Sequence, residues 1–315
     1  MEIMQDYDVI IVGGGPAGLT AGLYCKRAVL NTVLFERGLV GGQIAISKDV
    51  ENYPGVEGIT GFDLAEKMVH HAQSFGLSII QQEVAEVIAG PGHHSVRLAS
   101  GDVLRTRTLI LAAGGSVRKL GILGEAEYAG SGVSYCATCD GFFFRDKTTV
   151  VVGGGDTAVE EALYLSRLAK KVCLVHRKKE LRAGKLLQNR LTETQIEVIR
   201  NTVVTEIRGD GHVVTSVALE NTETGEKKEL PTDGVFIFIG YLPNNQLIPA
   251  GVRMNEQGFV LTDDSCETSV PGIFAVGDLR QKFANQIVVA AADGCIAALA
   301  AARYIEMQKA ETSSS

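Results

Sequence analysis

Two cysteines three positions apart, Cys136 and Cys139, are followed at once by Asp140 in the stretch "SGVSYCATCDGFFFRDK". At that spacing, at the start of a helix, two thiols can close a disulfide and reopen it, and a thiol so placed ionises more readily. An adjacent carboxyl can protonate a leaving thiolate; its plain alternative is an ordinary acid in a first helical turn. A structural zinc site wants four ligands. There is no second CxxC, and Cys25, Cys173, Cys266 and Cys295 stand alone within predicted helices or strands. The pair therefore reads as a redox disulfide, with no metal expected.

Two glycine fingerprints supply the other half of the chemistry. Gly13-x-Gly15-x-x-Gly18, with Pro16 and Ala17 inside it, follows the apolar run Tyr7 to Val12 and opens a helical pattern. Such a turn lets backbone approach a pyrophosphate and offers it the unpaired N–H groups of a helix start. Glu36, at the end of the next apolar run, is placed to accept from an adenosine ribose. The second fingerprint is Gly153-x-Gly155-x-x-Ala158, enclosing Asp156 and Thr157. Its second strand, 171–175, ends not in an acid but in His176, Arg177 and Lys178, with Arg182 beyond. Cations there attract a 2′-phosphate, which favours NADPH over NADH; the plain alternative is a solvated helix start. A hydride donor and a thiol pair need an intermediary that serves both, and a flavin at the first fingerprint, FAD, would do so.

These motifs need elements to hold them. The pattern strand 7–12, helix 19–28, strand 31–36 is a parallel βαβ unit, and strand 149–152, helix 158–168, strand 171–175 repeats it. Each is followed by a hairpin, with turns at Ser100-Gly101 and near Thr224-Gly225, and by a strand, at 108–112 and 235–239. The last residues offer a strand at 272–278 and an apolar helix from about Gln286 to Ile305, too little for a third domain. The expected fold is α/β, two Rossmann-like three-layer nucleotide-binding domains. The FAD domain is discontinuous, 1–117 and 248–315, with the NADPH domain carrying the CxxC, 118–247, inserted in it. Residues 307–315 read as frayed surface.

Bulk properties agree. A chain of 315 residues suits about two domains. With 45% apolar and 21% charged residues it is not a disordered chain. A net charge of −7 gives no general footprint for nucleic acid. The N-terminus lacks a basic region ahead of an apolar core, and apolar stretches break before the ~20 residues of a membrane span. The expected compartment is cytoplasmic, with no membrane partner.

The residues also carry a resemblance. Cys136-Ala-Thr-Cys139-Asp140-Gly141 leading into "VVGGGDTAVEEALYLS", with "GGQI" (41–44), "VENYPG" (50–55) and "TSVPGIFAVGDL" (268–279), is similar to the bacterial-type, low-molecular-weight thioredoxin reductases of the pyridine nucleotide-disulfide oxidoreductases, from Tyr7 to Ile305. The resemblance implies FAD in the first domain, NADPH in the second and thioredoxin, or a thioredoxin-like small redox protein, as partner. It places Cys139 toward the flavin, makes Cys136 the attacker on the partner, and makes Asp140 the proton donor and acceptor. By motif, Gly42, Gln43 and Asn52 would contact the flavin portion, Asp278 the ribityl chain, and Gln286 and Ile287 the flavin ring. It further implies a homodimer joined through the FAD domains, and rotation of the NADPH domain about crossings near 114–120 and 243–248.

The chain departs from the pattern at four places. Lys178 stands for a second arginine, Asn285 for an arginine before the glutamine, Asp156 for an asparagine, and Ala113 for a threonine. They keep a second reading beside the first: a similar flavoprotein with a different electron donor or a different small redox partner. A hydroperoxide-reductase subunit normally carries an extra N-terminal redox domain, and ferredoxin–NADP reductase-like relatives lack the CxxC.

Overall fold

The computed structural model describes residues 6–47 and 49–313. Asp6–Val12 (β1) and Thr32–Phe35 (β2) are short, buried runs rich in β-branched residues, as a parallel strand covered on both faces requires. They pair in parallel, Val9 with Thr32 through Val12 with Phe35, across the helix Pro16–Arg27 (α1). Pro16 occupies the start of α1, where a missing N–H removes no helical bond. Gly61–Ser74 (α2) starts on Thr60, whose hydroxyl accepts the Asp63 N–H at 3.1 Å and donates to its carboxylate at 2.7 Å. Ser78–Ile80 (β3), Val84–Ile88 (β4), His94–Leu98 (β5) and Val103–Leu111 (β6) complete the sheet order β3-β2-β1-β6-β5-β4. The first hairpin and the strand after it are one continuous strand: β6 turns back on β5 and also runs parallel to β1. Gly115–Val117 (β7) leads the chain away.

The inserted segment builds a sheet of its own. Val133–Ser134 (β8) runs into the one-turn helix Ala137–Asp140 (α3), then come Thr148–Gly153 (β9), Asp156–Leu165 (α4), Lys171–Val175 (β10), Lys185–Thr192 (α5) and Glu197–Ile199 (β11). Thr202–Gly209 (β12), Val214–Asn221 (β13) and Lys227–Pro231 (β14) form a separate antiparallel meander. Gly234–Phe238 (β15) returns to the parallel sheet, ordered β11-β10-β9-β15-β8. Here the hairpin and the strand after it are distinct, because Pro231 and the Thr232-Asp233 turn break the chain between them.

Tyr241–Pro243 (β16) pairs with β7. Ile273–Ala275 (β17) then inserts parallel to the end of β6, Ile273 beside Leu109. Ile287–Ser313 (α6) closes the chain. Two compact units result, Met1–Ser116 with Leu242–Ser315, and Val117–Tyr241. The return crossing falls at Leu242 and not at 248, because Tyr241–Pro243 is already strand.

Three further expectations change. The last helix runs on to Ser313, so 307–313 is helical; Ser314 and Ser315 lie outside the described residues. Its stretch Ile287–Ala310 is long and apolar enough to cross a membrane by length and composition. That composition serves packing here: Ala297, Ala298, Ala301 and Ile305 are buried in one cluster with Ala17, Ala21 and Cys25 of α1. Cys266 lies in a loop with φ of 65°, outside any helix or strand.

Helix α6 packs tightly on α1 at Gly294, where an added Cβ would collide with the Ala17 carbonyl oxygen. Gly294→Ala is therefore expected to destabilise the protein by about 1–3 kcal/mol, as overpacking does. Thermal melts should register this, with Glu306→Gln at an exposed position of α6 staying within about 0.5 kcal/mol of the parent.

Candidate functional site

Strand β8 delivers the cysteine pair. Cys136 is the extended residue capping α3, and its sulfur is bonded to that of Cys139, with Cα atoms 5.3 Å apart. Its Sγ accepts the Cys139 N–H at 3.2 Å and lies 3.4 Å from the Thr138 hydroxyl. Both contacts suit a sulfur that carries negative charge once the bond opens. Asp140 ends α3, its Oδ2 2.6 Å from the Ser134 hydroxyl. From α4, the Glu161 carboxylate accepts the Ala137 N–H at 3.1 Å. Burial pushes the Glu161 carboxyl up, against the pull of the Ala137 and Thr138 amides. Behind Cys136, the Tyr135 hydroxyl donates to Glu125 at 2.9 Å, while Glu125 also accepts the N–H groups of Leu120 and Gly121. Burial and that carboxylate push the Tyr135 phenol well up.

Beyond Asp140 the chain makes a tight turn over Gly141–Phe144. Phe144 turns inward and meets Phe236 edge to face, ring centroids 5.0 Å apart. Phe142 and Phe143 stay outside, 56% and 40% exposed, and the Arg145 guanidinium lies 5.0 Å from the Phe142 ring centre. Three of the other thiols are buried. Burial pushes Cys25 up to about 12, and Cys173 and Cys266 each up to about 11.

In the same unit, Gly155 caps α4 with no side chain bonded to the helix start, leaving the turn to a ligand. Asp156 Oδ1 accepts the Gly184 N–H at 2.7 Å, and the Gly154 carbonyl accepts the N–H of Arg182 at 2.7 Å. The cation-bearing loop is thus latched to the glycine turn. Arg177, Lys178 and Arg182 are exposed, and Arg182 Nη2 lies 3.9 Å from where a Gly155 Cβ would be. Thr157 is exposed, and Ala158 is buried under the turn. His176 differs from its expected place at a phosphate. It is buried, with Nδ1 2.9 Å from the Gly153 carbonyl and Nε2 3.0 Å from that of Glu180. The ring packs against Gly154, whose missing Cβ makes the room.

The other unit holds the first glycine turn. Gly13 takes φ of 111°, and a Cβ there or on Gly18 would strike backbone oxygen. Gly15 faces open space, and α1 starts without a side-chain cap, so a pyrophosphate can reach Ala17 and Gly18. Glu36 accepts the Gly14 and Gly38 N–H groups, each at 2.7 Å, and keeps lone pairs for ribose hydroxyls. Gly42 backs onto Gly15, and Gln43 donates to the Gly115 carbonyl at 3.1 Å. Asn52 donates to Gln286 at 3.1 Å, joining residues far apart in the chain, and Ile287 packs with Ile44 and Val50. Asp278 is ion-paired to Lys282 at 3.1 Å. This open cradle, with a carboxylate at its far end, fits a dinucleotide such as FAD.

Ser134 and Glu161 were not anticipated. A serine two residues before a cysteine carries no signal, and one of two adjacent glutamates on a helix carries little. The exposed aromatic pair was not singled out either; its signal is three phenylalanines in a row, two residues beyond the CxxC.

Similarity to known proteins follows the same lines. The profile of the family described as "Pyridine nucleotide-disulphide oxidoreductase" matches residues 7–294. Thioredoxin reductase of Bacillus subtilis (strain 168) is 48% identical over 301 residues, 95% of each chain. The solved thioredoxin reductase of Streptococcus pyogenes MGAS5005 superposes with a TM-score of 0.93 at 42% identity, over 96% of this chain and 99% of its own. That of Giardia duodenalis gives 0.92 at 35% identity, over 96% and 100%.

In reduced protein, iodoacetamide is expected to label Cys136 and Cys139 while Cys25, Cys173 and Cys266 stay unlabelled until denaturant is added. Peptide mass spectrometry resolves the sites; early labelling of the buried three would contradict their raised thiols.

Proposed function

The chain belongs to the pyridine nucleotide-disulphide oxidoreductase family, and we propose that it is a thioredoxin reductase carrying electrons from NADPH to thioredoxin through FAD and the Cys136–Cys139 pair. The observation that carries the reading is the disulfide at Cys136–Cys139, with Asp140 beside it, in the unit that also bears the cationic nucleotide turn.

Gly13, Gly15, Pro16, Ala17 and Gly18 would take the FAD pyrophosphate and Glu36 the adenosine ribose. Gly42, Gln43, Asn52, Gln286 and Ile287 would border the flavin and Asp278 the ribityl chain. Gly153, Gly155, Asp156, Thr157 and Ala158 would form the NADPH turn. The 2′-phosphate goes to Arg177, Lys178 and Arg182, and His176 supports the turn from beneath. When bound, FAD supplies a carrier that accepts hydride from NADPH and releases two electrons to a disulfide.

The protein's own chemistry is thiol–disulfide exchange. Two electrons and two protons convert Cys136–Cys139 to a dithiol. Cys136 loses its proton to solvent, its thiolate stabilised by the Cys139 N–H, and attacks one sulfur of the thioredoxin disulfide. That S–S bond breaks, a mixed disulfide forms, and the released thiolate takes the proton of Asp140. Cys139 then passes its proton to the Asp140 carboxylate and attacks Cys136 sulfur. The second thioredoxin thiolate leaves and is protonated by solvent, and the Cys136–Cys139 bond is restored.

Phe142 and Phe143, exposed beside the pair, offer thioredoxin an aromatic contact. A second copy would cover the outer face of α6, where Val288, Ala292, Ile296 and Leu299 fall on one exposed stripe within the FAD-binding unit. A homodimer follows. The cytoplasm, where dithiols stay reduced, is the compartment this reading carries.

Anaerobic addition of NADPH to the yellow protein should bleach the flavin quickly and NADH slowly. Equal rates would overturn the cation argument, and no bleaching with either would overturn the whole reading. Cys136→Ser should keep NADPH bleaching and lose thioredoxin reduction. Phe142→Ala should raise KM for thioredoxin about tenfold, equivalent to about 1.4 kcal/mol, with NADPH bleaching unaltered.

A further inference from the structure

Ser134 ends β8 two residues before the first cysteine and is buried, with 4% of its surface exposed. Its Oγ lies 2.6 Å from Asp140 Oδ2, 3.1 Å from the Cys136 nitrogen and 3.2 Å from the Cys136 carbonyl oxygen. A hydroxyl has one hydrogen and two lone pairs. The Cys136 N–H occupies one lone pair whatever the state of Asp140. The single hydrogen then has two acceptors within reach, and the charge on Asp140 decides between them.

While Asp140 is a carboxylate, the hydrogen belongs to it, and 2.6 Å is the length of an O–H···O⁻ bond. When Oδ2 carries a proton, that proton must be donated, and the second lone pair of Ser134 receives it along the same line. The hydroxyl hydrogen swings to the Cys136 carbonyl, already 3.2 Å away. Both protonation states are satisfied without the carboxyl moving. This matters in a buried place, where a polar atom left without a partner is strongly disfavoured.

We propose that Ser134 is a positioning residue whose hydroxyl reverses its hydrogen bond as Asp140 gains and loses a proton, holding that carboxyl beside the dithiol through the exchange cycle. The proposal rests on the reading of Asp140 as proton donor and acceptor. Other ionisable groups meet the same turn: Cys136 and Cys139 on its own segment, and Glu161 from α4, whose carboxylate is engaged by the Ala137 amide. None of them bonds the Ser134 hydroxyl, so the hydrogen's choice lies between Asp140 and the Cys136 carbonyl.

The test compares FAD-loaded wild type, Ser134→Ala, Ser134→Thr and Asp140→Asn. Ser134→Ala should lower kcat for thioredoxin reduction about 10- to 100-fold, leave KM for thioredoxin within twofold, and leave NADPH bleaching unaltered. Ser134→Thr, which keeps the hydroxyl, should recover most of the kcat. Ser134→Ala turning over within twofold of wild type while Asp140→Asn is slow would overturn the proposal alone. A wild-type rate in Asp140→Asn would instead overturn the reading beneath it. Should Ser134→Ala fail to fold, neutron diffraction on wild type decides. The Ser134 deuterium should point to Asp140 Oδ2 at high pH and to the Cys136 carbonyl at low pH. A deuterium fixed on one line across that range would overturn the proposal.

Discussion

The discontinuous unit closes around one buried carboxylate. Asp293, on α6, receives the Arg280 guanidinium at 2.8 Å on one oxygen, and the Gly277 N–H at 3.0 Å and the Lys282 ammonium at 3.4 Å on the other. Lys282 in turn reaches Asp278, so two cations balance two anions. Buried charge is tolerated only when paired and hydrogen-bonded, and stripping a partner from such a group costs about 3–5 kcal/mol. The next residue, Gly294, lies tight against the α1 backbone at Ala17. One helical turn thus fixes the Asp278 loop on one side and the helix behind the first glycine turn on the other. The proposed flavin contacts Asp278, Gln286 and Ile287 all flank this anchor, so the cradle is only as well placed as the ion cluster beneath it.

The inserted unit solves a different problem, the apportioning of amides around a reactive sulfur pair. The Cys136 N–H goes to Ser134, the Ala137 N–H to Glu161, and the Cys139 N–H to Cys136 sulfur. Each donor has a distinct owner. The backbone of the CxxC is therefore held from two neighbouring elements, β8 and α4, while the sulfur keeps a donor of its own. The bond can open and close without the loop having to find new partners.

Much of this was legible in the sequence because its constraints are local. A glycine turn after a buried strand, a β-α-β order and a CxxC each occupy a few consecutive residues. Gly13, Gly15, Gly18 and Glu36 lie together, as do Cys136, Cys139 and Asp140. What escaped depends on distant partners. The burial of His176 under Gly154 and the latch of Asp156 on Gly184 are set by tertiary contacts that no periodicity encodes. The early return at Leu242 was missed because β16 is a three-residue strand whose only signature is its partner β7.

The split of one unit around the other also sets an order of assembly. During synthesis the inserted unit, contiguous in sequence, can mature while its host still lacks β17 and α6. The host sheet then waits with the end of β6 uncovered and α1 exposing its alanine face, a state prone to mispairing until the last segment leaves the ribosome. Closing so long a loop makes this the slow step in topological terms. The final helix is thus the fastening of a fold begun at β1, and a chain cut short before it would leave the nucleotide turn without its backing.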